Sequence, residues 1–287
     1  MADLRLAAVA GTFYPRAPTE LAAAVRACFD DATAHAHAAE ALPAGSRSFD
    51  GAPGARPAAS RPKALIVPHA GYVYSGAIAA AAYARLADGR EPIRRVVLFG
   101  PTHRVPVRGL AVPTANAFAT PLGNVGVDRT AVELALALPQ VRASDAAHAL
   151  EHSLEVQLPF LQAVLGDFEI VPFAVGEATP GEVAEVMELL WGGPETLLVV
   201  SSDLSHYHPY ATAQALDRAT AAAILSLSAN LDHEQACGAT PVNGLLLCAR
   251  GRGLRPRLLD LRNSGDTAGD RSRVVGYASF AFGASSR

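Results

Sequence analysis

Imidazole and carboxylate side chains follow three of the most apolar runs in this sequence. His69 comes directly after KALIVP, His103 lies just beyond RRVVLFG, and TLLVVSS leads into Asp203 and His206. Neutral imidazoles bind Fe, Zn and Cu well, and a mononuclear site with two or three protein ligands leaves positions open for substrate, water or dioxygen. His69 and His103 are therefore predicted to be metal ligands.

Asp203 and His206 admit two interpretations. In the first turn of a helix or in a tight loop both side chains can face one pocket, where the carboxylate orients the imidazole for general acid-base catalysis. The same two residues could instead supply metal ligands. A single histidine at a strand end is more often a packing residue than a ligand. Three such strand ends, each flanked by Gly, Pro, Ser or Thr turn residues, favour one shared site.

The elements that must position these residues alternate between strands and helices. Strands are predicted at KALIVP, RRVVLFG, FEIVPFAV, TLLVVSS, 255–262 and 274–282, and helices at 18–39, 76–88, 128–138, 152–165, 180–191, 209–227 and 241–250. This alternation predicts an α/β fold with a central, mostly parallel or mixed sheet and helices on both of its faces. Ligands of such sheets bind beyond the carboxyl ends of the strands, where residues far apart in sequence meet.

The segment 40–62 interrupts this alternation. Its sequence, EALPAGSRSFDGAPGARPAASRP, is rich in Pro, Gly and Ser and nearly free of large apolar residues. Such a composition cannot bury enough apolar area to offset the entropy of ordering it, so a mobile surface loop is predicted. The residues before it are too few to form a core of their own, so we expect one domain over 1–287. Deleting residues 44–59 should leave the melting temperature nearly unchanged.

Composition and charge exclude several classes of protein. The chain has 287 residues, half of them hydrophobic, a net charge of -3 and 24 scattered Lys and Arg residues. A basic face for nucleic acid or anionic lipid is therefore not expected.

No apolar run is long enough for a membrane span or a signal peptide, which predicts a cytoplasmic protein. Cys28, Cys237 and Cys248 are too few and too irregularly spaced for a disulfide framework or a paired CxxC zinc site.

The sequence resembles the Memo family, whose bacterial members are often named as the Memo component of the AmmeMemoRadiSam system. The resemblance spans nearly the whole chain and rests on AGTFYP (10–15), PHAGYVYSG (68–76), GPTHR (100–104), EHSLEVQLPFLQ (151–162), SSDLSHY (201–207) and CGATPVNGLL (237–246). The Memo fold is similar to that of class III extradiol dioxygenases, which are single-domain α/β/α enzymes that use non-haem Fe(II). The resemblance thus implies an α/β/α sandwich, and as partners a small-molecule substrate together with the Amme-type and radical SAM proteins.

The resemblance also implies a ligand set. Memo proteins carry two histidines and a cysteine where the dioxygenases carry two histidines and a glutamate, and the matching residues are His69, His103 and Cys237. The family's pocket aspartate and histidine match Asp203 and His206. A thiolate is softer than a carboxylate and shifts the preference toward Zn or Cu(I). Fe(II) is nevertheless the favoured metal, with Zn or Cu as the other candidates.

Weaker expectations concern residues near these motifs. His152 and Glu155, at helical i, i+3 spacing, could face the same pocket, and His152 is proposed to bind substrate. Tyr72 follows the first of the three strands and could wall the pocket for an aromatic or planar substrate. Three further histidines, His35, His37 and His148, are expected at the surface.

Three functions from different classes remain open on the sequence alone. The first is a metal-dependent oxidoreductase in which Asp203 and His206 move protons. The second is a binding or adaptor protein that keeps the fold and a vestigial pocket. The third is a zinc hydrolase in which a metal-bound water is the nucleophile.

Overall fold

The computed structural model describes residues 3–41, 61–87 and 92–284. Its strands are β1 (Leu4–Arg5), β2 (Ala64–Val67), β3 (Arg95–Pro101), β4 (Leu110–Val112), β5 (Ala117–Thr120), β6 (Gly123–Val127), β7 (Val141–Ala143), β8 (Glu169–Val175), β9 (Thr196–Ser201), β10 (His206–His208), β11 (Leu254–Asn263) and β12 (Val274–Ala284). Its helices are α1 (Pro18–Ala41), α2 (Tyr72–Tyr83), α3 (Arg129–Leu136), α4 (Asp145–Ala149), α5 (Leu158–Val164), α6 (Pro180–Leu189), α7 (Tyr210–Leu225), α8 (Ala239–Gly251) and α9 (Ser264–Thr267), with 3-10 turns at Ala84–Leu86 and Glu155–Gln157.

The centre of the sheet is a parallel run in the order β6-β8-β3-β9-β2. Beyond β2 the sheet continues through antiparallel β12, which pairs with β10 and β11. The sheet is therefore mixed. All residues of β2 and β9 are buried, because an inner parallel strand is covered on both faces and needs apolar side chains throughout.

The register of the parallel run brings three strand ends to one edge. Val67 at the end of β2 lies opposite Ser201 at the end of β9, and Phe99 of β3 lies opposite Val200 of β9. The chain segments that leave β2, β3 and β9 therefore start side by side. This edge is where the histidine-bearing turns were predicted to meet.

Helices cover both faces, as expected for the α/β class. Helices α1, α2 and α5 pack together, with α2 against β2 and β12, while α6 packs on α8 and α8 contacts β3 and β9. Aromatic rings fill the contacts: Phe160 of α5 stacks on Tyr83 of α2, and Phe99 stacks on Phe173 of the neighbouring strand. Within the described part of the chain, no helix has both the length and the apolarity to cross a membrane.

Several predicted boundaries are wrong in informative places. Helix α2 begins at Tyr72 rather than at residue 76, so the helix starts almost at once after the His69 turn. The helix predicted over 152–165 is regular only from Leu158, because residues 151–154 form an irregular turn. The short strands β1, β4 to β7 and β10 were not predicted. Most of the proposed 40–62 loop, residues 42–60, lies outside the described residues.

Candidate metal centre

Three imidazoles meet at the edge of the sheet where β2 and β3 end. His69 follows β2, His103 follows β3, and His152 lies in the turn between α4 and the Glu155–Gln157 helix. The ring centroids are 5.2 Å apart for His69 and His103, 5.4 Å for His69 and His152, and 4.5 Å for His103 and His152. One nitrogen from each ring lies within 4.8 Å of the others, so the three histidines could hold a metal ion. His69 is buried, whereas the side chain of His103 is 29% exposed.

A buried hydrogen-bond chain fixes which nitrogen of His69 carries the proton. Tyr83 Oη donates to Gln157 Oε1 (2.9 Å), so Gln157 Nε2 is the donor to Ser201 Oγ (2.9 Å). Ser201 gives its own hydrogen to the Ser153 carbonyl (2.6 Å) and can only accept from His69 Nδ1 (2.9 Å). His69 is therefore the Nδ1–H tautomer, and its Nε2 lone pair remains for a ligand.

A single carboxylate holds the other two histidines. Glu151 accepts from His103 Nδ1 (2.9 Å) and from the backbone N–H groups of His103 (2.6 Å), His152 (2.9 Å) and Ser153 (2.9 Å). Burial alone would raise the pKa of Glu151, but these bonds, led by the one from the His103 side chain, lower it to about 2. A carboxylate that accepts from Nδ1–H orients the ring and leaves the His103 Nε2 lone pair for a metal.

Cys237 joins the cluster from the far end of the chain. It lies just before α8, and its Sγ is 3.3 Å from His69 Nε2 and accepts from the Asp203 backbone N–H at 3.3 Å. Because His69 Nε2 is unprotonated, the thiol is the donor in the first contact. Burial raises the pKa of this thiol to about 12, with the neighbouring Asp203 carboxylate adding to the shift. The predicted set of His69, His103 and Cys237 therefore lies together, with His103 and Cys237 lining one groove.

Asp203 and His206 lie in the same region but are held separately. Asp203 Oδ1 accepts from the His69 backbone N–H (2.7 Å), and His206 Nδ1 donates to the Leu204 carbonyl (2.8 Å). The orientation of His206 by Asp203, expected from the spacing, is replaced by these two bonds. Burial raises the pKa of Asp203 to about 7, and burial lowers the pKa of His206. Asp203 thus supports His69, while the Nε2 atom of His206 keeps its lone pair.

His152 lies in the cluster, whereas its predicted neighbour Glu155 does not. His152 Nδ1 is buried without a hydrogen-bond partner in the described residues, and it lies 3.4 Å from Glu151 Oε1. Burial lowers the pKa of His152 to about 4, so the ring is neutral at pH 7. The Glu155 carboxylate points away and bonds to Arg5 and Tyr14.

Two other expected positions differ from the structure. The Tyr72 hydroxyl donates to the Val156 carbonyl at 2.7 Å, and the ring lines a separate groove of about 800 Å³ on the α1 side. His148, expected at the surface, is 1% exposed. His148 is buried because it lies on the face of α4 that packs against the protein, where its Nε2 donates to the Ala111 carbonyl (3.0 Å). His35 and His37 are exposed on α1, as expected.

The histidine cluster opens into a groove of about 840 Å³. His103 and Cys237 line this groove, and Arg108, Glu177 and His233 contribute further polar groups to its wall. His233 Nδ1 contacts the Cys237 carbonyl oxygen at 3.2 Å. A small molecule could therefore approach the imidazole and thiol groups from solvent.

The donor set fits a transition metal. Two imidazoles with fixed Nδ1–H tautomers, a third imidazole with an unpartnered buried nitrogen and one thiol are the ligands preferred by Zn, Cu and Fe. Sequence reasoning missed Glu151 and Ser201 as the groups that orient these ligands. The glutamate directly before His152 in the EHS motif was the available signal for the first. Ser201 lies in the same motif as Asp203, and nothing in the sequence around it indicates that it orients a histidine.

Comparison with known proteins finds relatives over nearly the whole chain. The model of the Memo-like protein family matches residues 5–281. A MEMO1 family protein of Sulfolobus acidocaldarius is 34% identical over 98% of this chain and 99% of its own length. MEMO1 family proteins of Ignicoccus hospitalis (36% identical, 97% and 98% covered) and Thermotoga petrophila (34%, 96% and 98%) are similar to the same extent. The chain therefore belongs to the Memo-like family.

Proposed function

We propose that the chain is a mononuclear metal protein whose ion is bound by His69, His103 and Cys237. The observation that carries this proposal is the 3.3 Å approach of Cys237 Sγ to His69 Nε2, a nitrogen that the Ser201 chain keeps unprotonated. His152 is close enough to the other two imidazoles to act as an additional ligand or to contact a substrate. Fe(II) is the favoured ion, and the thiolate makes Zn or Cu the other candidates.

The reaction we favour is a dioxygenase-like oxidation of a small or aromatic substrate. A bound iron would supply Lewis acidity and a redox couple. The chain supplies orientation and proton transfer: Glu151 and Ser201 hold the imidazoles, and the groove admits the substrate at His103 and Cys237. Asp203, which contacts both His69 and Cys237, and His206 are the groups proposed to hold and move protons.

Two alternatives follow from the same geometry. The soft thiolate at Cys237 favours a zinc hydrolase, in which Asp203 or His206 would be the base. A binding protein with a vestigial pocket would keep the fold without turnover. We propose a cytoplasmic protein, since three unpaired cysteines suit a reducing compartment. The proposed partners are the substrate and the Amme-type and radical SAM proteins.

Metal analysis of protein purified without oxygen tests this proposal. The expected result is about one iron, zinc or copper ion per chain, lost in His103→Ala and Cys237→Ser but kept in His37→Ala, which changes an exposed histidine of α1. Iron together with oxygen uptake on adding catechols supports the oxidoreductase, and zinc without oxygen uptake supports the hydrolase. Wild-type protein that takes up none of the three ions when reconstituted contradicts the metal site.

A further inference from the structure

Arg5 of the N-terminal strand is buried against the turn that carries His152. Its guanidinium donates from Nε to the His148 carbonyl (3.0 Å), from Nη2 to the Glu151 carbonyl (2.6 Å) and from Nη1 to the Glu155 carboxylate. Arg5 is 7% exposed and Glu155 is fully buried. One side chain thus contacts three points of the 148–155 segment, more than 140 residues away in sequence.

The middle of this segment has no regular secondary structure. Helix α4 ends at Ala149, the next helical turn begins at Glu155, and the intervening residues are irregular. The His148 carbonyl, in the last turn of α4, also accepts from the Glu151 backbone N–H (3.3 Å), whereas the Glu151 carbonyl lies past the end of the helix, where helical partners run out. The Arg5 fork supplies donors for both, which fixes the course of the backbone between them.

The position of Glu151 decides the orientation of the His103 ring and the course of the backbone at His152. Arg5 holds the Glu151 backbone, and the Glu151 carboxylate holds the His103 ring and the backbone N–H groups of His103, His152 and Ser153. The path from Arg5 to the His103 ring therefore contains one residue and two hydrogen bonds. Glu155 keeps Arg5 in place and is itself held by Tyr14 and the backbone N–H groups of Ala8 and Val9.

We infer that Arg5 is a positioning residue for the metal centre, acting through the Glu151 backbone. This inference rests on the proposed metal site. A lysine at this position would keep the charge beside Glu155, but a single ammonium on a flexible stem lacks the planar fork that reaches both carbonyl groups. The ion pair alone is therefore insufficient, and the geometry of the guanidinium is what the cluster requires.

Zinc affinity of the folded protein, measured by competition with a chelating dye, tests the inference. Arg5→Lys should weaken zinc binding about 10- to 100-fold, the usual effect of losing a group that orients a ligand. Arg262→Lys is the matched control, since Arg262 makes a buried ion pair with Asp260, and the histidine near that pair is His35 of α1 rather than one of the cluster. It should lower the melting temperature to a similar degree and leave zinc affinity unchanged.

A second variant removes the Arg5 contacts without leaving a buried charge unpaired. Arg5→Met combined with Glu155→Gln removes both charges of the pair together, and the single glutamine oxygen can still accept from one of the Ala8 and Val9 N–H groups, which bond to different oxygens of the carboxylate. This double variant should weaken zinc binding as Arg5→Lys does. Zinc affinity equal to wild type in both variants overturns the role of Arg5.

Amide hydrogen exchange separates this inference from the metal proposal. The N–H groups of His152 and Ser153 donate to Glu151, so they should exchange faster in Arg5→Lys than in Arg262→Lys even without metal. Equal exchange in the two variants contradicts the positioning role. If wild-type protein binds no zinc, the metal proposal fails, and the exchange measurement still decides whether Arg5 fixes the turn.

Discussion

At the residue scale, the candidate site depends on which atoms carry protons. His69 and His103 each have Nδ1 bonded to a group that can only accept, Ser201 in one case and Glu151 in the other. Both Nε2 atoms are therefore available without any change of tautomer. The two acceptors differ in charge. Because a carboxylate is negative and a hydroxyl is neutral, Glu151 makes the His103 imidazole a stronger donor to a metal than Ser201 makes the His69 imidazole.

Glu151→Gln tests the carboxylate. The amide keeps the shape of the side chain but loses the charge and can donate where His103 Nδ1–H needs an acceptor. Metal affinity should fall about 10- to 100-fold, measured by competition with a chelator. Glu188→Gln is the control, since Glu188 pairs with Arg252 at the surface. Affinity that is unchanged in Glu151→Gln would show that the His103 ring needs no carboxylate to bind metal.

At the scale of elements, the end of β3 must lie close to the turn that bears His152. A methyl group at Gly100 would lie 2.6 Å from Ser153 Oγ and 2.9 Å from Leu154 Cδ2. Only glycine permits this approach between the strand that leads to His103 and the turn that leads from Glu151. The two segments can then place their imidazoles 4.5 Å apart between ring centroids.

Gly100→Ala should therefore destabilise the protein and weaken the site together. We expect a loss of about 1–3 kcal/mol in the free energy of unfolding, measured with urea, and weaker metal binding. Gly283→Ala in β12 is the matched control, because a methyl group there meets no atom within 4 Å. Equal stability of the two variants would mean that the turn moves aside without cost.

The buried histidine of helix α4, His148, makes the stability of the protein depend on pH. Burial lowers the pKa of His148 from 6.5 to about 4. As the pH falls, His148 is therefore protonated in the unfolded chain before it is protonated in the folded protein. The stability due to this residue is complete above pH 6.5 and falls as the pH drops toward 4.

His148→Gln keeps a donor for the Ala111 carbonyl and removes the titration. Between pH 7.5 and 4.5 the variant should lose about 2–3 kcal/mol less stability than wild type, measured by denaturant unfolding. Other buried histidines should still make both proteins less stable in acid. Parallel pH profiles for the two proteins would contradict this account of His148.

At the scale of the whole molecule, the proposed ligands are joined only by the fold. Cys237 and His69 are separated by 168 residues in sequence. An unfolded chain cannot hold both on one ion, so metal should bind the native state almost exclusively and stabilise it by mass action.

Zinc at 100 times its dissociation constant should thus raise the free energy of unfolding by about 2.7 kcal/mol. The measurement is thermal or urea unfolding with and without the ion. A variant carrying both His103→Ala and Cys237→Ser should show no gain. A gain of equal size in this variant would place the ion elsewhere on the chain.

The sequence by itself determined the α/β class and two histidines of the site. Apolar runs that end in Gly, Pro and Ser mark inner parallel strands, and the ends of such strands share one edge, so His69 and His103 had to lie close together. Cys237 was assigned by resemblance to a family rather than by any local pattern, since a lone cysteine in a turn resembles a small buried apolar residue.

Only the tertiary structure decided how the site is held. Glu151 bonds to His103 across 48 residues and Ser201 bonds to His69 across 132, and such pairs leave no periodicity in the sequence. The spacing of Asp203 and His206 suggested a pair, yet the backbone turned one toward His69 and the other toward Leu204. Local spacing limits which residues can meet, but the partner of a buried polar group is set by whichever donors and acceptors the packed segments bring within reach.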